Sequence, residues 1–243
     1  MKRIDSPGNP LIKSVRRLAR ARRREAIILI EGRKLVAEAL EGEAEVQSIL
    51  VSSEGPQGLF PGAIEVEARL FERASGLDAP DGVLALAVRP SRPLEDLPEA
   101  GLLVVSVGIQ LPGNLGAVAR VAEAASADAL VVVKGSTDPF GPKVIRGSMG
   151  SVLRLPVFEI DGLDELRERG YRFAALAPHG GTDFRDCDWR RPLAILLGRE
   201  GSGLPALTLS PHDLRVSIPM KGRVESLNVA TAAALVLYEA TRP

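Results

Sequence analysis

The chain has 243 residues, 45% hydrophobic and 26% charged, which fits an ordinary globular protein of one large domain or two small ones. It has no uninterrupted apolar run of roughly 18 residues, and no apolar stretch follows its basic N-terminus, so neither a membrane span nor a secretion signal is expected. Its single cysteine, Cys187, excludes an internal disulfide and a cysteine-rich metal site and fits a reducing, cytoplasmic setting.

The formal net charge of zero conceals a segregation. Residues 1–24 carry nine basic residues and one acid, Asp5, so the rest of the chain is net acidic. SPGNP (6–10) is a turn cluster, and Pro10 opens a predicted helix over 11–24. That helix holds Lys13, Arg16, Arg17, Arg20 and Arg23. A solvated helix face explains such a run, and so does an electrostatic footprint for a phosphate backbone. No aromatic lies within it, so base stacking is not expected there and phosphate contact is.

AIILIE (26–31) reads as a strand, RKLVAEALE (33–41) as a helix, and VQSILVS (46–52) and GVLALAV (82–88) as strands. Residues 1–88 therefore form a small α/β unit. RPSRPLEDLPEAG (89–101), with three prolines and little periodicity, reads as a linker.

Residues 102–243 alternate strand and helix. Strands are expected at 102–108, 129–135, 152–160, 171–178 and 192–198. Helices are expected at 113–125, 142–150, 164–170 and 224–240. Apolar strands alternating with helices indicate a mostly parallel sheet covered on both faces.

Ligands bind such sheets outside the carboxyl ends of the strands. Three loops lie there: GIQLPGNLGAVAR (108–120), LLGREGSGLP (196–205) and SIPMKGRVESLN (217–228). Two of the three asparagines in the chain, Asn114 and Asn228, fall in them, and helix capping would explain both. Arg120 follows Asn114 by six residues, with a surface salt bridge as its bland role and a place along the same face as the sharper one. Gly198, Gly201 and Gly203 match neither a dinucleotide-binding nor a P-loop spacing, but they let backbone approach a ligand beside Glu200. His179 and His212 have no metal-ligand spacing, so no metal is expected.

PGNLGAVAR, LLGREGSGL and IPMKGRVESLNVATAAALVLYEATR resemble, in order and spacing, the three motifs of the SpoU (TrmH-type) RNA ribose 2′-O-methyltransferases of the SPOUT class. IRGSMGSVLRLPV (145–157) is similar to the segment between the first two, and the N-terminal part, NPLIKSVRRL through LIEGRKLVAEAL (9–40), resembles the family's accessory RNA-binding module, which makes 1–88 the expected RNA-binding unit. The resemblance implies S-adenosylmethionine as cofactor, a parallel SPOUT sheet with a deep C-terminal trefoil knot, a homodimer with its active site near the interface, and an RNA substrate. Ribosomal RNA is favoured and transfer RNA is the alternative. It places Leu197, Gly198, Ile218, Met220 and Leu227 on the cofactor, and Asn114, Arg120, Glu200, Ser226 and Asn228 at the reaction centre. The family assigns the 2′-hydroxyl proton to the arginine, here Arg120. A guanidinium stays protonated, so orientation of phosphate and stabilisation of negative charge fit it better, with Glu200 the alternative acceptor. The chain departs from many relatives before Pro112, where Gly-Ile-Gln-Leu lacks their acidic residue.

Two further readings stand beside this one. A catalytically inactive RNA-binding protein of the same fold would have no use for Arg120, Glu200, Ser226 and Asn228. A nucleotide-dependent oxidoreductase would need a GxGxxG turn after the first strand of the second domain, which is absent.

Overall fold

A computed structural model describes residues 3–21, 24–42, 44–201, 203–205 and 209–242. In chain order the elements are β1 (Arg3–Ile4), α1 (Pro10–Ala19), β2 (Ile27–Glu31), α2 (Arg33–Glu41), β3 (Val46–Ser52), β4 (Ile64–Val66), α3 (Ala68–Ala74), β5 (Val83–Val88), β6 (Leu102–Ser106), α4 (Pro112–Ala124), β7 (Ala129–Val133), α5 (Pro142–Gly147), α6 (Ser151–Arg154), β8 (Val157–Ile160), α7 (Asp164–Glu168), β9 (Arg172–Leu176), β10 (Thr182–Asp183), β11 (Leu193–Leu197), β12 (Leu214–Ser217) and α8 (Val229–Ala240). They divide into two compact units. One comprises Met1–Pro90 with Phe140–Arg154, the other Ser91–Pro139 with Leu155–Pro243.

The first unit is built on a mixed five-stranded sheet in the order β1-β4-β3-β5-β2. Helix α1 turns Ile12, Val15 and Leu18 inward, where they pack with Leu29, Leu50, Phe71 and Leu84. The spacing of three is that of an amphipathic helix, so its basic residues are left on the outer side. Asn9 caps this helix by accepting from the Leu11 N–H at 2.9 Å, and Pro10 occupies its first turn, where a missing N–H costs nothing.

Residues Phe140–Arg154 belong to this unit although both flanking strands belong to the other. Glu31, at the buried end of β2, holds them. Its carboxylate accepts from Arg146 Nη1 at 2.8 Å, from Ser75 Oγ at 2.7 Å and from the Gly76 N–H at 2.8 Å. A buried charge is tolerable only when paired and hydrogen-bonded in this way.

The second unit contains a fully parallel seven-stranded sheet, β10-β12-β9-β11-β6-β7-β8. β6, β7 and β11 are buried along their whole length, which is why they read as unbroken apolar runs. Leu103, Val105, Val131, Phe158, Phe173 and Leu196 form one core on this sheet. No helix among the described residues is long and apolar enough to cross a membrane.

Four expected elements are corrected. The helix expected at 11–24 ends at Ala19, with Arg20 as its C-cap. The strand expected at 152–160 begins only at Val157, because Ser151–Arg154 is a helical turn. The helix expected at 142–150 stops at Gly147, and Met149 and Gly150 then reverse the chain with φ of 51° and 83°. The helix expected at 224–240 begins at Val229, leaving 218–228 irregular.

Asp213 fixes the start of β12. Its buried carboxylate accepts from Arg167 Nη2 at 2.7 Å, the Phe173 N–H at 2.8 Å and the Ser210 N–H at 2.6 Å. Burial alone would raise the pKa of this carboxyl, but the Arg167 side chain and the two N–H groups outweigh it and hold the value below that of a free aspartate. A depressed folded pKa gives stability that is complete above the unfolded value of about 3.9 and lost as pH falls through the folded value. Asp213→Ala is therefore expected to lower stability by about 3 kcal/mol at neutral pH, because it strands the partly buried Arg167. The loss should shrink below about pH 4, as followed by urea unfolding across pH.

Candidate active site

The second unit carries a cavity of about 480 Å³ at the carboxyl ends of β9, β11 and β12. That is the size of a small-molecule pocket. Leu176 and Leu197 are the last residues of their strands, and Val216, Ile218, Met220 and Leu227 complete an apolar lining. All five residues that the family resemblance puts on the cofactor, Leu197, Gly198, Ile218, Met220 and Leu227, line this cavity.

Its wall is backbone to an unusual degree. Arg199 and Gly203 exchange two backbone hydrogen bonds of 2.9 Å, which turns the chain back on itself. The reversal passes so close to Gly198 that a Cβ there would lie 2.3 Å from the Gly203 carbonyl carbon and 2.4 Å from the Leu204 nitrogen. Residues 218–227 make no hydrogen bond, from backbone or side chain, with any described residue. Ile218, Met220, Ser226 and Leu227 of this segment line the cavity, and their backbone groups are available to a ligand.

Four of the five residues expected at the reaction centre, Asn114, Glu200, Ser226 and Asn228, meet along the same cavity. Asn228 caps α8, its Oδ1 accepting from the Ala230 N–H at 2.9 Å. Its Nδ2 donates to Asn114 Oδ1 at 3.1 Å, and Asn114 Nδ2 donates to Glu200 Oε1 at 2.7 Å. This chain of amides ties together residues 86 and 114 positions apart in sequence. Asn114 is therefore not a cap. It lies in the first turn of α4, whose N-cap position is held by Leu111 without a side-chain bond. Glu200 Oε2 and the Ser226 hydroxyl have no partner among the described residues.

Arg120 is the exception. It is exposed on α4, does not line the cavity, and pairs with no described residue. Six residues make one and two-thirds helical turns, so Arg120 sits about 120° around the helix from Asn114 and about 9 Å along it. The expectation that both share a face is corrected. On α1, Lys13, Arg17 and Arg20 are exposed and Arg16 is half-buried, and Arg17 pairs with Glu25. Arg23 lies outside the described residues. No group of three potential metal-ligating side chains occurs among the described residues.

Sequence reasoning missed Leu176, Pro178 and Val216, which line the cavity from β9 and β12, and Arg199 beside Glu200. The first three had a readable signal, since ligands gather at strand carboxyl ends. Gly198→Ala should show how far the wall depends on backbone approach. The atoms in its way are main chain and cannot swing aside, so a loss of about 1–3 kcal/mol is expected, read as a lower urea midpoint at unchanged slope.

The SpoU rRNA Methylase family model matches residues 101–238, and an MRM3-like substrate binding domain matches 9–85. The 23S rRNA (guanosine(2553)-2′-O)-methyltransferase of Bacillus subtilis (strain 168) is 33% identical over 98% of each chain. The crystal structure of an AdoMet-bound rRNA methyltransferase from Sinorhizobium meliloti superposes with a TM-score of 0.87 at 29% identity, covering 99% of this chain and 97% of that one. The SpoU methyltransferase AviRb from Streptomyces viridochromogenes, in complex with AdoMet, gives 0.80 at 26% identity over 96% and 98%. With two-domain matches along nearly its whole length, the chain belongs to the SpoU rRNA methylase family.

Proposed function

We propose that this protein is an S-adenosylmethionine-dependent methyltransferase that modifies a ribose 2′-hydroxyl in ribosomal RNA. The observation that carries the reading is the Asn228–Asn114–Glu200 chain at the edge of an apolar, backbone-walled cavity. The cavity fits the cofactor on chemical grounds. Unpaired backbone groups of Ile218, Met220, Ser226 and Leu227 suit the edge of an adenine, and Leu176, Leu197 and Leu227 suit its faces.

When bound, the cofactor supplies an electrophilic methyl group on a sulfonium. Its transfer to a ribose 2′-oxygen would break the methyl–sulfur bond, leave a neutral thioether and release the hydroxyl proton. The chain's own residues position the hydroxyl and manage that proton. Glu200 Oε2 is the free acceptor at the site, and the Asn114 bond on Oε1 fixes its direction. Ser226 and Asn228 hold the ribose edge. Arg120 orients the substrate phosphate and offsets the charge that develops on the oxygen.

A homodimer belongs to this reading. Arg120 lies on α4 outside the cavity of its own chain, and α4 packs on α8, whose Leu235 and Tyr238 are 41% and 60% exposed. Leu235 and Tyr238, one turn apart, are side chains that a second copy could cover. Lys13, Arg16 and Arg20 of α1 supply phosphate contacts from the first unit, and the cytoplasm is where the RNA is found.

The direct test is transfer of labelled methyl from S-adenosylmethionine to unmodified ribosomal RNA and to transfer RNA. Label is expected in ribosomal RNA as 2′-O-methyl nucleotide, falling roughly 100-fold to 1,000-fold in Arg120→Ala. Label confined to transfer RNA would reassign the substrate, and cofactor binding with no label in any RNA would leave an RNA-binding protein. Leu235→Asp should shift the sedimenting mass from dimer to monomer and reduce transfer with it. A wild-type protein that is monomeric at micromolar concentration would remove the dimer from the reading.

A further inference from the structure

We infer that Arg199 is a phosphate-binding residue that seats the RNA at the cavity mouth. The inference rests on the function proposed above and assigns a role there to a residue outside its catalytic set. Among the described residues that line the cavity, Arg199 is the one cation. It is exposed, and it forms no ion pair with a described carboxylate. The acid beside it in sequence, Glu200, is turned to Asn114 instead.

The side chain is nonetheless held. Gly108, with φ of 81°, follows β6, and the Arg199 stem lies across it. A Cβ on Gly108 would stand 2.7 Å from Arg199 Nε, 3.1 Å from Cγ and 3.5 Å from Cδ. The surface under the stem is itself tied down. The Gly108 N–H donates to Ser136 Oγ at 2.8 Å, Ser136 Oγ donates to the Ser106 carbonyl at 3.0 Å, and Gln110 Nε2 donates to the Gly135 carbonyl. The Arg199 backbone is fixed by its two bonds to Gly203. Packing of the stem on Gly108 removes part of the entropy normally lost when an arginine binds an anion.

A pinned guanidinium with no acid partner suits a planar fork of oxygens. Two ligands at this site offer one, the RNA phosphodiester and the cofactor's carboxylate. Exposure at the mouth favours the phosphodiester.

The test compares wild type, Arg199→Ala and Arg199→Lys for binding and methylation of an unmodified large-subunit rRNA transcript at several salt concentrations, with cofactor affinity measured separately. Arg199→Ala is expected to raise KM for RNA about 10-fold to 100-fold with a smaller change in kcat. Loss of one phosphate contact should flatten the dependence of log K on log salt by about 0.7–0.9, which a purely structural role would not do. Arg199→Lys should restore the slope and only part of the affinity. Gly108→Ala, which displaces the stem, should mimic Arg199→Ala and add little to it.

An unchanged salt slope in Arg199→Ala overturns the inference. So does weakened cofactor binding with unaltered RNA binding, which would give Arg199 to the carboxylate. A wild type that binds the transcript but does not methylate it counts against the proposed function, while the slope comparison still decides the role of Arg199. Arg199→Lys keeps the test valid where the alanine variant folds poorly.

Discussion

The side-chain oxygen of Asn228 accepts from the Ala230 N–H at the start of α8, and that cap sets the direction of the amide chain at the cavity edge. An amide has one acceptor end and one donor end. With its oxygen committed to the helix, Asn228 can present only its NH₂ outward, so Asn114 must meet it with an oxygen. Asn114 is then left with an NH₂ on its other side, which needs an acceptor. An ionised carboxylate is acceptor-only, and Glu200 fills that place. No member can be turned around without leaving two like groups facing each other. Cap and carboxylate thus orient each other across three loops, and the one carboxylate oxygen left over has a defined direction.

Backbone closeness does for the cavity what the amide chain does for its edge. Gly203 and Leu204 can lie against Gly198 only because that residue has no side chain. Segment 218–227, bonded to nothing among the described residues, gains its place from its two ends. At one end β12 is anchored through Asp213, and at the other Asn228 begins a helix. A wall held at its ends keeps its peptide groups free for a ligand. A regular strand or helix in the same position would have spent them on itself.

Much of this was legible in the sequence. β6, β7 and β11 read as apolar runs because both sheet faces are covered, and α1 read as a helix from one apolar face and a Pro start. The short pieces were not legible. β1, β4 and β10 have two or three residues each, too few for periodicity, and they exist because neighbouring strands pair with them. Composition also misled at α8. Val224 and Leu227 extend its apolar pattern backward, but the helix begins only after the Asn228 cap, at Val229. In the site, motif spacing put Asn114, Glu200, Ser226 and Asn228 in one place, while the amide directions between them could come only from geometry. Arg120 shows the converse error. Sequence proximity to Asn114 suggested a shared face, and the helical repeat puts them on different ones.

The arrangement of charge follows from these constraints. The reaction turns a neutral hydroxyl into a bond to carbon and sheds a proton, so the site needs an acceptor that stays directed and cations that do not neutralise it. A guanidinium salt-bridged to Glu200 would offset the charge of both groups and weaken the hold of each on substrate. Here the carboxylate is engaged by a neutral amide, which orients it without cancelling its charge. Arg199 is held through its stem by a glycine, and Arg120 faces away on α4. Opposite charges therefore coexist around one cavity without collapsing on each other. Their separation is maintained by hydrogen bonds to Asn114 and by packing on Gly108, neither of which carries any charge of its own.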